Sequence, residues 1–308
     1  MPFRLDPSDA DSAATGVTPA LLQRLEWRLR QATETTLSGD YRSVFRGRGM
    51  EFDQVVKYNW GDDLRDIDWN VTARLGEPYR KKFVEEREVC VVLVFEDSPA
   101  LQFGSAGRTR RDTLLEVAAL LMLIGLLQHD RVGLIYASPD NTWFRRPLAG
   151  REATLHTASM LLAEPAPRVD GPATVEMPWR LALRAAPRHS VLVWLGPFAP
   201  SAEPEDWRAV RRRYQTVGFR ADDPWDLELP AKARLPVFDP VAGCVTELNT
   251  ASAENRAAHA HWAAARDEHF AERFPEKRER QVVRTDEPVF EAIIDFFHRR
   301  GRVGAVHR

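Results

Sequence analysis

The chain has little of several features that define common protein classes. Only two of its 308 residues are cysteine, and Cys90 and Cys244 lie far apart, so neither a disulfide framework nor a zinc-binding spacing is present in the sequence. Its longest apolar stretch, residues 117–127, is shorter than the ~20 residues that cross a bilayer. The N-terminus has no apolar block of the kind that directs secretion. We therefore expect a cytoplasmic protein without a membrane span.

Net charge is also nearly absent. The 43 basic and 45 acidic side chains give a formal charge of -2, so no global field concentrates the protein on nucleic acid or on an anionic membrane. Lysine is scarce, at five of the 43 basic residues, and arginine offers a planar fork that pairs with carboxylates or phosphates. Genome base composition also favours arginine over lysine in many organisms. Any nucleic-acid binding has to come from a local patch.

The order of apolar segments predicts an α/β fold. The run 89–95 is continuous and β-branched, which is typical of a strand buried on both faces of a parallel sheet. Further strands are predicted around 132–136, 190–195, 216–221 and 281–284, alternating with helices such as 110–129 and 174–186. This alternation predicts a doubly wound, mostly parallel, Rossmann-like sheet, preceded by an N-terminal helix and a small irregular β segment. The loop after the first strand, 96–105, is where ligands are expected first.

Composition also suggests boundaries along the chain. We divide it into a disordered arm (1–17), an N-terminal helix (18–37), a β-rich signature segment (38–88), a main α/β domain (89–300) and a basic tail (301–308). The arginine groups at 108–111 and 211–213 are interpreted as solvated helix ends. The tail is a candidate for contacting an acidic partner or nucleic acid.

The signature segment is dense in glycine, arginine, aspartate and aromatic residues. Its distinctive residues are Gly47, Gly49, Glu51, Phe52, Tyr58, Gly61, Asp62, Asp63, Arg65, Asp68, Trp69 and Arg74. Together they resemble the signature of the bacterial family called domain of unknown function fifty-eight, which reads approximately as GxGxEF, a Tyr, GDDxRxIDW and an AR pair. The resemblance continues to residue 300 through Glu85, Glu86, Glu88, Phe103-Gly104, 130–133, Asp223-Pro224, Leu229-Pro230, Thr285-Asp286 and Phe296-Phe297.

The resemblance implies a fold and a kind of partner. Members of this family carry a von Willebrand factor A-like domain with an extra N-terminal segment, and they are often encoded beside a MoxR-type AAA+ ATPase. No enzymatic activity is established for them. Their role is thought to lie in assembly or in metal-assisted protein contacts.

The von Willebrand A fold normally binds a divalent ion, and the resemblance places that site here. The ion is held by DxSxS after the first strand, and by a Thr and an Asp from two later loops. Alignment on Phe103-Gly104 puts Glu96 at the Asp position and Ser98 at the first Ser, with Ala100 at the second, and Thr174 is the later Thr. No carboxylate follows the strand 190–195. Because Mg²⁺ demands near-ideal octahedral geometry, we interpret Glu96, Ser98 and Thr174 as a degenerate metal-ion-dependent adhesion site and expect no resident cofactor.

A frame shifted by one residue would use Asp97 as the metal ligand. It would also replace both serines, with Pro99 and Leu101. We therefore set Asp97 aside.

The acids Asp62, Asp63, Asp66 and Asp68 admit a second interpretation, a metal-dependent hydrolase or nuclease. Such sites need carboxylates that converge on a cleft. The structural alternative is that Asp62 or Asp63 caps the turn after Gly61, that Arg65 and Arg74 pair with nearby carboxylates, and that Ile67 and Trp69 anchor the segment on the core. We favour the structural account and expect a non-enzymatic scaffold or adaptor that works with a MoxR-type AAA+ ATPase.

Overall fold

The computed structural model describes residues 20–29, 51–60, 62–84, 89–105, 107–169, 172, 174–201, 203–231, 234–239 and 244–305. Within these residues, no helix combines the length and the apolar character needed to cross a membrane. Gly47, Gly49, Gly61 and the acidic stretch 85–88 lie outside the described residues.

A six-stranded sheet forms the centre of the described structure. In the described residues the strands are β1 (Glu51–Lys57), β2 (Tyr79–Val84), β3 (Cys90–Glu96), β4 (Arg131–Ala137), β5 (Thr142–Leu148), β6 (Val191–Leu195), β7 (Gln215–Asp222), β8 (Arg234–Asp239), β9 (Cys244–Asn249) and β10 (Arg280–Arg284). The sheet runs β10-β7-β6-β3-β4-β5, and only the edge strand β5 is antiparallel to its neighbour. The predicted α/β class with a mostly parallel sheet is confirmed.

Helices cover both faces of this sheet. The α-helices of the described residues are α1 (residues 20–29), α2 (Trp69–Leu75), α3 (Arg110–Leu127), α4 (Arg151–Ala163), α5 (Trp179–Ala185), α6 (Trp207–Arg213), the single turn α7 (Pro224–Leu227), α8 (Ala253–Arg273) and α9 (Val289–Ala305). One apolar core joins α1, α3, α4 and α9 to the sheet, and a second joins α5, α6 and α8 to the other face.

Alternation along the buried strands explains how one sheet serves two cores. In β3, Val91, Leu93 and Phe95 enter the core under α3, whereas Val92 and Val94 enter the core under α5. Successive side chains of a strand point to opposite faces, so a strand buried on both faces has to be apolar throughout. This is why the run 89–95 is apolar along its whole length.

Two antiparallel pairs complete the described structure. β1 pairs with β2 in the signature segment, and β8 pairs with β9 in the proline-rich region. The β1–β2 pair agrees with the β-rich character expected of the signature segment. One element differs clearly from its prediction. The helix expected over 174–186 begins only at Trp179, because Pro178 disfavours the helical conformation in the residue that precedes it.

Candidate functional site at the carboxyl edge of the sheet

The topology places a switch point at the carboxyl edge of the sheet, where a crevice is expected. β3 and β6 are neighbours in the sheet, and the chain proceeds outward from them in opposite directions, to β4 and to β7. The loops after β3 and β6 therefore diverge, and ligands of such sheets bind at this point. Residues 96–98 leave β3 here, and Gly196 leaves β6 beside them.

Glu96 ends β3 on the side of the α5 core. Its Oε2 accepts a hydrogen bond of 2.9 Å from the indole Nε1 of Trp194. Gly196 lies directly against it, because a Cβ at position 196 would come within 2.5 Å of the same oxygen. Burial raises the pKa of Glu96 to about 7, although the Trp194 hydrogen bond and the positive charge of Arg273 act in the opposite direction. Its carboxylate is thus already engaged with the protein.

Asp97 points to the opposite face and is fully buried. Arg111 donates to it from Nε at 3.0 and 2.9 Å and from Nη2 at 2.8 Å, and the Tyr136 hydroxyl donates at 2.9 Å. Arg111 also donates to the Glu164 carbonyl at 2.8 Å. Burial raises the pKa of Tyr136, and the charge of Asp97 raises it further. The aspartate that the sequence interpretation set aside is therefore a principal anchor of this edge.

Ser98 and Thr174 occupy different environments. Ser98 is buried, and its hydroxyl has no hydrogen-bond partner among the described residues. Thr174 lies on the surface, and in the part of the chain that the structure describes no hydrogen bond joins it to Glu96 or Ser98. Over the same described residues, no group of three or more His, Cys, Asp or Glu side chains is arranged to hold a metal ion. Glu96 and Ser98 are close in the chain, and their grouping with Thr174 stays a prediction.

Arginines and aspartates dominate the neighbouring end of β7. Asp222 accepts from Arg220 at 2.9 and 2.8 Å and from Arg266 at 2.7 Å. Asp226 accepts from Arg110 Nε at 2.9 Å and forms an ion pair of 3.2 Å with Arg266 Nη1. All five side chains are buried or nearly so. Such charge-assisted bonds fix the loops that carry them.

Arg266 links this network to the crevice. Its Nε donates to the Pro197 carbonyl at 3.5 Å, and its Nη2 donates to the Ala221 carbonyl at 3.1 Å. The side chain thus spans from the loop after β6 to the end of β7. A guanidinium from α8 supplies positive charge between these two loops.

Asp223 ties three loops together. It accepts from the Ser105 amide at 2.7 Å, from the Ser105 hydroxyl at 2.5 Å and from Thr285 Oγ1 at 3.1 Å. Burial alone would raise the pKa of Asp223, but the bonds from Ser105, the Trp225 amide and Thr285 outweigh burial and lower it. The Asp223-Pro224 and Thr285-Asp286 matches in the sequence thus mark a structural junction.

Most of these arginine–aspartate pairs are not predicted by the sequence pattern. The sequence interpretation assigned 108–111 to a solvated helix end, whereas Arg110 and Arg111 are inserted among buried aspartates. The available signal was the excess of arginine, which pairs well in desolvated positions. What the signal lacked was the identity of each partner, since Arg110 and Asp226 are 116 residues apart.

In the signature segment, three aspartates accept hydrogen bonds from nearby backbone amides. Asp62 accepts from the Asn59 amide at 3.0 Å, Asp63 accepts from the Arg65 amide at 2.9 Å, and Asp68 caps α2 through the amides of Asn70 and Val71 at 3.0 and 3.2 Å. The predicted capping role of Asp63 is confirmed. Among the described residues these carboxylates do not converge on a cleft, so no observation there favours the hydrolase interpretation.

Two expectations for the signature segment were wrong. Asp62 pairs with Arg80, at 2.7 Å, while Arg65 and Arg74 are exposed and have no carboxylate partner among the described residues. Trp69 does not anchor the segment on the core, since 70% of it is exposed. Trp69 is the first residue of α2, directly after the capping residue Asp68, and the bond from this helix to β2 is made further along it, where Thr72 accepts from the Tyr79 amide at 3.0 Å.

Other signature residues lie in the same segment. Tyr58 donates through its hydroxyl to the Asp62 carbonyl at 3.1 Å, and Glu51 and Phe52 begin β1. Large apolar side chains nevertheless face solvent here. We call this set the apolar signature patch: Trp60, Leu64, Trp69 and Leu75, each more than half exposed.

Comparison with known proteins decides the family. The family described as "Protein of unknown function DUF58" matches residues 54–269. The chain belongs to the DUF58 family. The uncharacterized protein Rv1480 of Mycobacterium tuberculosis (strain ATCC 25618 / H37Rv) is 29% identical over 238 residues, which cover 75% of this chain and 73% of that protein. An uncharacterized protein of Mycobacterium bovis matches to the same extent.

Likenesses to solved structures are weaker. A conserved hypothetical protein, BatB from Bacteroides thetaiotaomicron, is 15% identical with a TM-score of 0.40, over 70% of this chain and 99% of that one. The PilB minor pilin of Streptococcus sanguinis is 12% identical with a TM-score of 0.36, over 74% and 64% of the two chains. At these scores the likenesses carry no inference about this DUF58 protein.

Proposed function

We propose that this DUF58 protein is a non-enzymatic scaffold or adaptor whose signature segment binds a protein partner. The observation that carries the proposal is the apolar signature patch. Soluble proteins that leave two tryptophans and two leucines exposed on one short segment commonly use them in protein contacts. The carboxyl edge supports the non-enzymatic part of the proposal, because other side chains of the same chain already bond to Glu96, Asp97, Asp222 and Asp226.

The proposal includes a von Willebrand factor A-like identity for the main domain, 89–300. Its support is the strand order together with the antiparallel edge strand β5 and the helices on both faces. The partner suggested by the family resemblance is a MoxR-type AAA+ ATPase.

We further propose that partner binding does not depend on Mg²⁺. Glu96 is hydrogen-bonded to Trp194 through Oε2 and lies against Gly196, and among the described residues no hydrogen bond joins Thr174 to it. A metal at this position would have to share the Glu96 carboxylate with the Trp194 indole. Partner binding in the adaptor therefore rests on apolar contact.

The test is a pull-down with the purified full chain, followed by identification of the captured ATPase and a binding measurement with that ATPase after purification. The Trp60→Ser, Trp69→Ser variant should bind at least about tenfold more weakly, as expected for exposed aromatic anchors. Trp27→Ser is the matched control, because Trp27 is also largely exposed but lies on α1. EDTA should leave binding unchanged.

Two results would contradict the proposal. Loss of the ATPase on chelation would disprove the metal-independent version. Undiminished binding by the double tryptophan variant would show that the apolar signature patch is not part of the contact.

A further inference from the structure

A group of arginines gathers at the other edge of the sheet, where the parallel strands begin. α5 and α6 both end there, just before β6 and β7. Arg184 lies in the last turn of α5, Arg188 lies between α5 and β6, and Arg212 and Arg213 end α6. All four are exposed. We call these four residues the arginine face.

The backbone presents Arg188 in a fixed turn. The Ser190 amide and hydroxyl both donate to the Pro187 carbonyl, at 3.4 and 2.7 Å, and close a four-residue turn. His189 takes the left-handed conformation within it, with φ of 65°. Arg188 is therefore held at the outer corner of the turn.

Tyr214 fixes the other side of the face. Its hydroxyl donates to the carbonyls of Ala182 and Ala186, at 3.2 and 3.0 Å, and so occupies acceptors at the end of α5. The guanidinium of Arg213 lies 5.3 Å from the centroid of the Tyr214 ring. Burial raises the pKa of Tyr214, and the charges of Arg213 and Arg188 counter that rise. Arg188 precedes β6 and Arg213 ends α6, so two different elements bring an arginine to this edge of the sheet.

The absence of carboxylates here contrasts with the rest of the same helices. Arg180 bonds with Glu205 and Asp206, Arg208 pairs with Glu203, and Arg211 pairs with Glu279. Among the described residues no carboxylate pairs with the four members of the arginine face. The chain pairs its arginines on α5 and α6 except on this one surface.

We propose that the arginine face binds an acidic peptide segment of a partner protein. Arginine forks recognise carboxylates in a planar, bidentate manner, and like charges held together favour an anionic occupant. A peptide is favoured over nucleic acid because the whole chain is slightly acidic and the face is compact, without the long basic stripe of nucleic-acid binders. This surface is separate from the apolar signature patch, so the inference goes beyond the proposed function.

The experiment measures the binding of a fluorescent oligoglutamate peptide to the full chain by anisotropy, at low salt. The Arg188→Ala, Arg213→Ala variant should bind at least about fivefold more weakly, because two charge-assisted contacts are lost. Arg180→Ala, Arg208→Ala is the control: it removes the same amount of charge, from α5 and α6, but should stay within about twofold of the native affinity. Arg188→Lys, Arg213→Lys should fall between them, since lysine keeps the charge and loses the fork.

Three results would overturn the proposal. Equal binding by both alanine variants would show a non-specific charge effect. Tighter binding of a single-stranded DNA of equal charge would assign the face to nucleic acid. Glu85, Glu86 and Glu88 precede β3 in sequence, so binding by Glu85→Gln, Glu86→Gln, Glu88→Gln but not by the native chain would mean that the occupant is the chain's own acidic stretch.

Discussion

Glu96 and Asp97 are adjacent in sequence but serve opposite sides of the sheet. Alternation at the end of β3 sends Glu96 to Trp194 on the α5 side and Asp97 to Arg111 on the α3 side. Asp97 is bonded directly to a guanidinium, whereas Glu96 is bonded to an indole N–H and has the charge of Arg273 nearby. Burial disfavours the ionised form of Glu96.

The pH dependence of stability should report on Glu96. Its pKa in the folded protein is about 7, above the ordinary 4.5, so the folded state holds this proton more tightly than the unfolded chain does. Its contribution to stability is fully present below the unfolded pKa and is lost as the pH rises through the folded pKa. Between about pH 5 and pH 8, the free energy of unfolding should fall by roughly 1–3 kcal/mol on this account.

Urea unfolding of Glu96→Gln measures this contribution. The variant should lack the fall and be more stable than the native protein at high pH. The exposed Glu254→Gln variant is the control and should follow the native profile. Native and Glu96→Gln profiles that run parallel over this range would contradict the prediction.

At the scale of elements, the start of α3 is the main cross-link of the carboxyl edge. Arg110 reaches Asp226 in α7, and Arg111 reaches both Asp97 after β3 and the carbonyl of Glu164 after α4. Thr109 and Asp112 form a reciprocal capping box that fixes where the helix begins. The position of these two arginines therefore follows from a local capping signal.

Arg111→Met should destabilise the protein by about 3–5 kcal/mol, because it leaves the buried Asp97 carboxylate without its cation. Arg108→Met is the matched control from the same helix start; its pair with Glu116 is partly exposed and should cost about 1 kcal/mol or less. Denaturant unfolding measures both. Adding Asp97→Asn should recover part of the Arg111→Met loss, and equal costs for the two single variants would show that Asp97 is not dependent on Arg111.

The sequence was informative where the physics is local. Buried strands such as β3 and β6 are continuous apolar runs, and the capping box before α3 is readable over four residues. The site depends instead on pairs far apart in the chain, such as Asp223 with Ser105, 118 residues away. The exposure of Trp69 was not readable either, because a seven-residue helix has no periodicity long enough to indicate its buried side.

At the scale of the whole molecule, the near-neutral charge conceals two opposite arrangements at the two edges of one sheet. At the carboxyl edge, Arg220 and Arg266 are buried against Asp222 and fully paired. At the amino edge, the arginine face is exposed and unpaired within the described residues. A net charge of -2 therefore says little about either surface, because positive and negative charges balance over the whole chain but not at the arginine face.

Added salt should affect the two edges of the sheet differently. Buried pairs are weakly screened, so the free energy of unfolding should change by no more than about 1 kcal/mol between about 0.05 and 0.5 M NaCl. Binding of the oligoglutamate peptide to the arginine face should weaken by roughly tenfold or more over the same range, because exposed charges are screened beyond the Debye length. Urea unfolding and anisotropy on one preparation measure both quantities. If stability fell in step with binding, the arginine–aspartate network at the carboxyl edge would have to be open to solvent ions, and its role as a buried clamp would be wrong.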